Sequence, residues 1–299
     1  MNPERVHLAT AALTAAAMLA FAANSLLCRA ALAGGYADAA SFTTLRLASG
    51  ALALWLVAQS RGGASPAPRV AWGSALALFA YVALFSLAYL RIPAGIGALL
   101  LFAAVQLTMI GAGLRGGERP RALEWAGLAV SLVGLLLLTR PGLTRPDPLG
   151  AASMIGAGAA WGVYSLRGRG AADAIAANAA SFARAVPLAL AANAAFALWA
   201  GVRLTPEGAA LALASGGVTS GLGYAVWYAA LRGLAATRAA IVQLSVPPLA
   251  AFGGVLVLGE VVSLRLLLAS ALILGGIALA ILGQRGPARV RIDAPARGG

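Results

Sequence analysis

The sequence predicts an all-α integral membrane protein of ten transmembrane helices, arranged as two inverted five-helix repeats. Three observations predict it. Of 299 residues, 61% are apolar and only 10% are charged, against about 45–50% and about 25% in soluble domains. Ten apolar stretches are each long enough to cross a hydrocarbon core about 30 Å thick. The second half of the chain echoes the first at an offset near 140 residues.

The same composition excludes other classes. A mean hydropathy of +0.87 rules out a soluble globular enzyme and a disordered coil alike. The net charge of +13 suggests nucleic-acid binding only at first sight. All 22 basic residues are arginines scattered between hydrophobic runs, so no nucleic-acid partner is expected. One cysteine, Cys28, cannot form an intrachain disulfide. The single histidine, His7, is assigned to the N-terminal tail, and no Cys/His cluster has zinc spacing. No metal, cofactor or catalytic residue is therefore expected, and a histidine proton relay inside the membrane is excluded.

The spans are read with a ruler of about 20 apolar residues at 1.5 Å rise each. The first covers 8–32 and ends at Gly34-Gly35; its length argues that it is retained and is not a cleaved signal peptide. The second, 39–59, gives way to Gly62-Gly63, Pro66 and Pro68. The third and fourth, 70–90 and 94–114, flank a connector bearing Arg91, and Gly116-Gly117 close the fourth. The fifth, 122–139, precedes Pro141-Gly142, Pro146 and Pro148. The remaining five are 149–166, 175–200, 208–230, 238–258 and 265–283. No connector is long enough to fold as a soluble domain. Residues 1–143 form the first repeat, 144–283 the second, and 284–299 a polar tail.

Arginines set the sidedness. With ten spans, the side shared by both termini and the even-numbered connectors carries fourteen arginines, and the other side six. The positive-inside rule then puts both termini in the cytoplasm, with the chain in the cell (inner) membrane.

The repeat rests on ordered matches. Phe21 falls on Trp161, Ser25 on Ser165, Arg29 on Arg169, and Ala40-Ser41-Phe42 on Ala180-Ser181-Phe182. Tyr89 meets Tyr228, Gly117-Glu118 meets Gly259-Glu260, and Gly134 meets Gly276. Five spans are an odd number, so the second copy enters from the opposite side. Inverted repeats place a substrate site near the midplane, opened to either face by rocking of the halves.

Ser41-Phe42-Thr43-Thr44-Leu45-Arg46-Leu47, and Val257-Leu258-Gly259-Glu260 before a span with Gly275-Gly276, resemble the drug/metabolite transporter superfamily. Glu118, Pro120 and the stretch from Trp125 to Leu138 resemble the matching end of the first repeat. The resemblance covers nearly the whole chain and implies two EamA repeats. Within the superfamily the chain is most similar to the YddG-type exporters of aromatic and other neutral amino acids. That likeness implies neutral amino acids as the small-molecule partner. One departure is Pro247-Pro248, which stands where the first half has Gln106-Leu107.

Candidate substrate contacts are polar groups and aromatics within spans, since hydrocarbon cannot satisfy the former. They are Asn24, Ser25, Gln106 and Gln243, with Phe21, Phe42, Tyr89, Trp161, Tyr164, Tyr224 and Tyr228. Helix-to-helix hydrogen bonding is the plainer role for the polar groups. Trp72, Trp125 and Trp199 read as interfacial belt residues. Gly217 with Gly221, and Gly158 with Gly162, read as close-packing pairs.

Arg46 and Arg184 are the charges well within spans. Arg46 stands about seven residues into the second, shallow enough to snorkel, and reads as framework more than as a carboxylate ligand. All nine acidic residues fall in tails, connectors or span ends, where Glu118 and Glu260 suit capping or an arginine contact. That argues against efflux of hydrophobic cations and for an uncoupled facilitator. The alternatives are a proton-coupled exporter of drugs, nucleobases or sugars, and a membrane-embedded enzyme.

Overall fold

The computed structural model describes residues 3–61, 72–115, 121–139, 146–168, 173–231, 242–243 and 245–283. Within them, helices α1 (Pro3–Ala33), α2 (Ala39–Ser60), α3 (Trp72–Tyr89), α4 (Ala94–Arg115) and α5 (Ala122–Thr139) supply the first five spans. Helices α6 (Pro148–Gly168) and α7 (Ala174–Ala200) follow. The eighth span is composite: α8 (Pro206–Leu213), a π-helical segment (Ala214–Leu222) and α9 (Gly223–Leu231). Helices α10 (Val246–Leu258) and α11 (Leu264–Gly283) complete the bundle. Among the described residues, six spans are long and apolar enough to cross a membrane, and four shorter apolar helices accompany them.

Most expected boundaries hold to within two residues. The first helix starts earlier, at Pro3, so His7 is an exposed residue of α1 and not of a tail. In the ninth span, helix α10 begins at Val246 with prolines in its first turn, because proline has no N–H to give and fits where none is needed; the expected start of that span, at 238, lies outside the described residues. The expected tail, 284–299, lies outside the described residues.

Polar contacts gather the odd-numbered connectors at one end. Asp38 N–H donates to the Arg203 carbonyl at 2.7 Å and Thr205 N–H to the Tyr36 carbonyl at 2.8 Å, joining the α1–α2 and α7–α8 connectors. Arg91 after α3 faces Asp147 before α6 at 3.7 Å. Glu260 after α10 reaches the start of α4. This is the alternation that ten crossings require.

Helix pairing follows a pattern. α2 packs on α7, α4 on α10 and α5 on α11. α3 packs on α6 as α1 packs on the eighth span, and α4 meets α6 as α1 meets α10. Exchanging each span with the one five places along leaves these pairings unchanged. The α5–α11 crossing is close because Gly127 and Gly276 oppose each other; a Cβ at 276 would lie 2.5 Å from the Gly127 carbonyl oxygen. Gly158 and Gly162 likewise seat α6 against Leu101, Ala104 and Thr108 of α4, the close packing expected of them.

The outer surface is apolar. Leu198, Val257, Leu264 and Leu136 are exposed on several helices, and Val261 on a connector, more than a water-facing surface of a monomer carries. Lipid is the solvent that such a surface fits. Trp72, Trp125 and Trp199 are 58%, 49% and 87% exposed, as belt residues should be.

Candidate functional site

The centre of the bundle is a cluster of aromatic rings built by five helices. Tyr81 and Phe85 lie on α3, one turn apart, with Tyr89 one turn further. Phe85 stands edge-on to Tyr89 at 4.7 Å and packs on Tyr81 at 5.4 Å. Trp161 on α6 bridges Tyr81 at 4.9 Å, Tyr224 at 5.3 Å and Tyr164 at 5.6 Å. Phe21 on α1 meets Tyr224 at 5.8 Å and Trp227 at 6.0 Å. Phe182 on α7 closes the set against Tyr224. Offset and edge-to-face contacts at such distances are favourable and leave hydroxyl tips free to bond.

Arg46 enters this cluster from α2. Asp38 caps that helix by accepting from Ser41 N–H at 2.8 Å. Arg46 stands two turns further in and is 1% exposed, so it does not snorkel. Its Nε donates to Ser220 Oγ at 3.3 Å and its Nη2 to the Tyr81 hydroxyl at 3.1 Å. Its guanidinium carbon lies 4.8 Å from the Phe85 ring centre and 5.4 Å from that of Tyr81. Nη1 is buried with no hydrogen-bond partner. The expectation that Arg46 snorkels is thus corrected: its side chain points inward, to Tyr81 of α3 and Ser220 of the π segment. Arg184, by contrast, is half-buried on α7.

The π segment is what brings Ser220 to Arg46. Its sequence, Ala-Ser-Gly-Gly-Val-Thr-Ser-Gly-Leu, carries three glycines and no large side chain except at its end. A π insertion widens the turn and moves the facing residues by one place. Gly216 and Gly221, five apart, consequently face α2, where a Cβ would overlap the Arg46 carbonyl and meet the Ala53 methyl respectively. Gly217 has nothing closer than 3.8 Å to such a Cβ. The pair expected from α-helical spacing, Gly217 with Gly221, is therefore only half correct.

The remaining candidates divide. Phe21, Tyr89, Trp161, Tyr164 and Tyr224 join the cluster directly. Tyr164 donates to Asn178 Oδ1 at 2.6 Å, and Tyr228 bonds the same amide. Ser25 shares a hydrogen bond with Tyr89. Asn24 serves helix packing: its Oδ1 accepts from Ser215 at 2.7 Å and Thr219 at 3.2 Å, tying α1 to the π segment. Phe42 is buried in the apolar core and makes no ring contact with the cluster. Gln106 and Gln243 are half-buried, on α4 and just before α10. Tyr81, Phe85 and Trp227, further aromatics within spans, join the cluster as well; Ser220, Phe182 and Asn178 belong to the site without having been selected.

On the far side of the cluster the bundle is closed. Arg29 on α1 pairs with Glu260 at 3.3 Å and donates to the Tyr89 carbonyl at 2.8 Å. Both Glu260 oxygens accept from Ala94 N–H, at 3.0 and 2.9 Å, capping α4 with a charge that suits a helix N-terminus. Gly259, at φ +63°, makes the left-handed turn that swings Glu260 back. The cap and arginine contact expected of Glu260 are both present; Glu118 lies outside the described residues. At the N-terminal end of α1, a groove of about 610 Å³ runs between α1 and α10, from His7 and Thr10 inward to Met18 and Leu249. Met18 is one turn from Phe21.

A many-spanning helical bundle with a lipid-fit exterior and a buried polar-aromatic centre defines a multi-pass membrane protein. The chain matches the EamA-like transporter family over residues 148–282. It is 51% identical over 279 residues to uncharacterized protein PA1977 of Pseudomonas aeruginosa, spanning 93% of this chain and 96% of that one. A crystal structure of another protein has a TM-score of 0.66 over 91% of this chain and 98% of its own, at 22% identity, which speaks to fold alone.

Proposed function

We propose that this transporter exports small neutral amino acids, aromatic ones included, by alternating access between two inverted five-helix halves, with both termini cytoplasmic. The observation that carries the reading is the aromatic cluster, drawn from both halves, in which Tyr224 sits between Phe21 and Trp161. Apolar walls with a few hydroxyls and amides suit a partly apolar solute. Aromatic faces also attract an ammonium group. The helix pairings, invariant to a shift of five spans, support the repeat.

The carrier is an uncoupled facilitator in this reading. The carboxylates of Asp38, Asp173, Asp147 and Glu260 act as helix caps or ion pairs at connectors. One observation favours a proton-coupled alternative: His7, the single histidine of the sequence, lines the groove. Purified protein in liposomes should move labelled phenylalanine, methionine or threonine above empty liposomes. No flux of any of them would end the amino-acid reading.

A further inference from the structure

Among the described residues, Arg46 is a buried cation without a carboxylate against it. Its neighbours include two hydroxyls and two ring faces, which steady the charge without neutralising it. Arginine cannot shed its proton at working pH. A buried charge is tolerated when it is paired, and a buried guanidinium edge without an acceptor is rare. Nη1 is such an edge. The residue that anchors the opposite edge, Ser220, lies on a π-helical segment, a backbone form that concentrates at functional sites.

The geometry points to Arg46 as the anion-recognition group of the carrier: a substrate carboxylate docks on its Nη1 side, and the rings of Trp161 and Tyr224 take the apolar body. The inference rests on the carrier reading above and specifies the charged end of the solute. Ser220 and Tyr81 hold Nε and Nη2, leaving the planar fork oriented for a carboxylate. Phe85 places its ring face 4.8 Å from the guanidinium carbon. The site is enclosed in this structure, so a ligand reaches it when the helices around it part. An arriving carboxylate would both satisfy Nη1 and neutralise the charge, which gives the loaded carrier a reason to close.

The test is thermal stabilisation of the purified full chain in detergent by three probes of one shape: 3-phenylpropionate, 3-phenylpropanamide and phenethylamine. The carboxylate should half-saturate at a concentration about tenfold or more below the amide, the scale of a charge-assisted bond, with the amine weakest. R46Q should bring the carboxylate and amide together. Equal response to carboxylate and amide in the wild type, no stabilisation by the carboxylate, or a preference that survives in folded R46Q would overturn the proposal. Where R46Q does not fold, Y81F keeps the charge and removes the hydroxyl that fixes Nη2. Its carboxylate affinity should then change at least about threefold with the amide unmoved, and no change would count against Arg46 equally. Phenylalanine flux is measured separately. Carboxylate preference without that flux retires the amino-acid reading and keeps the anion site; flux without preference does the reverse.

Discussion

Gly216 lies against the backbone of Arg46, so close that a methyl at 216 would overlap the Arg46 carbonyl and the Ser49 hydroxyl. The contact fixes the π segment on α2 and sets the height at which Ser220 meets the guanidinium. Gly216→Ala should therefore destabilise the protein by about 1–3 kcal/mol, the usual cost of overpacking. Gly217→Ala, whose methyl would meet Ser49 only at ordinary contact distance, should be neutral. Melting temperatures of the two variants in one detergent decide this, and equal effects would show that the π register is wrong.

Glu260 does two tasks with one carboxylate, pairing with Arg29 and capping α4. Glu260→Gln keeps the shape and loses the charge. It should cost about 1–2 kcal/mol, as cap and charge-assisted bonds do. The same variant should alter the ratio of inward to outward transport, because the pair holds α1, α3, α4 and α10 together at one end. A melting curve and a flux ratio both matching wild type would remove the pair from the account.

The fold was largely legible in the sequence because membrane burial demands long apolar runs, and connectors announce themselves by glycine, proline and arginine. The site was legible in part. Aromatics within spans stand out, so Phe21, Trp161, Tyr164 and Tyr224 were selected and do meet. Arg46 was visible as a charge inside a span, but depth along a helix does not reveal the direction in which the side chain turns. Ser220 was hidden for a different reason: a π insertion leaves no periodic signal, so α-helical spacing put Gly217 where Gly216 belongs. Asn178 becomes conspicuous only once α6 and α7 are packed together.

Trp161 holds three rings of the cluster, whereas Trp125 faces outward from α5. Trp161→Ala should lower transport by about tenfold or more in folded, monodisperse protein, since it removes contacts on several sides. Tyr228→Ala should lower it less, through the loss of one hydrogen bond to Asn178. Trp125→Ala should change little. Equal damage from Trp125→Ala and Trp161→Ala would mean that the cavity lies elsewhere.

A facilitator does not concentrate its solute. With membrane potential clamped, neither an imposed pH gradient nor a sodium gradient should drive uptake of a neutral amino acid above equilibrium, and His7→Gln should behave as wild type. Concentrative uptake under a pH gradient that His7→Gln abolishes would assign coupling to the groove.

The central claim, a carrier of neutral amino acids that works by alternating access, is tested most directly by counterflow. Liposomes containing the purified protein are loaded with unlabelled phenylalanine and placed in a trace of labelled phenylalanine. The account predicts a transient rise of label inside, severalfold above unloaded proteoliposomes, that saturates with the internal concentration. Label entry that is the same with and without internal phenylalanine, or that matches protein-free liposomes, would contradict it.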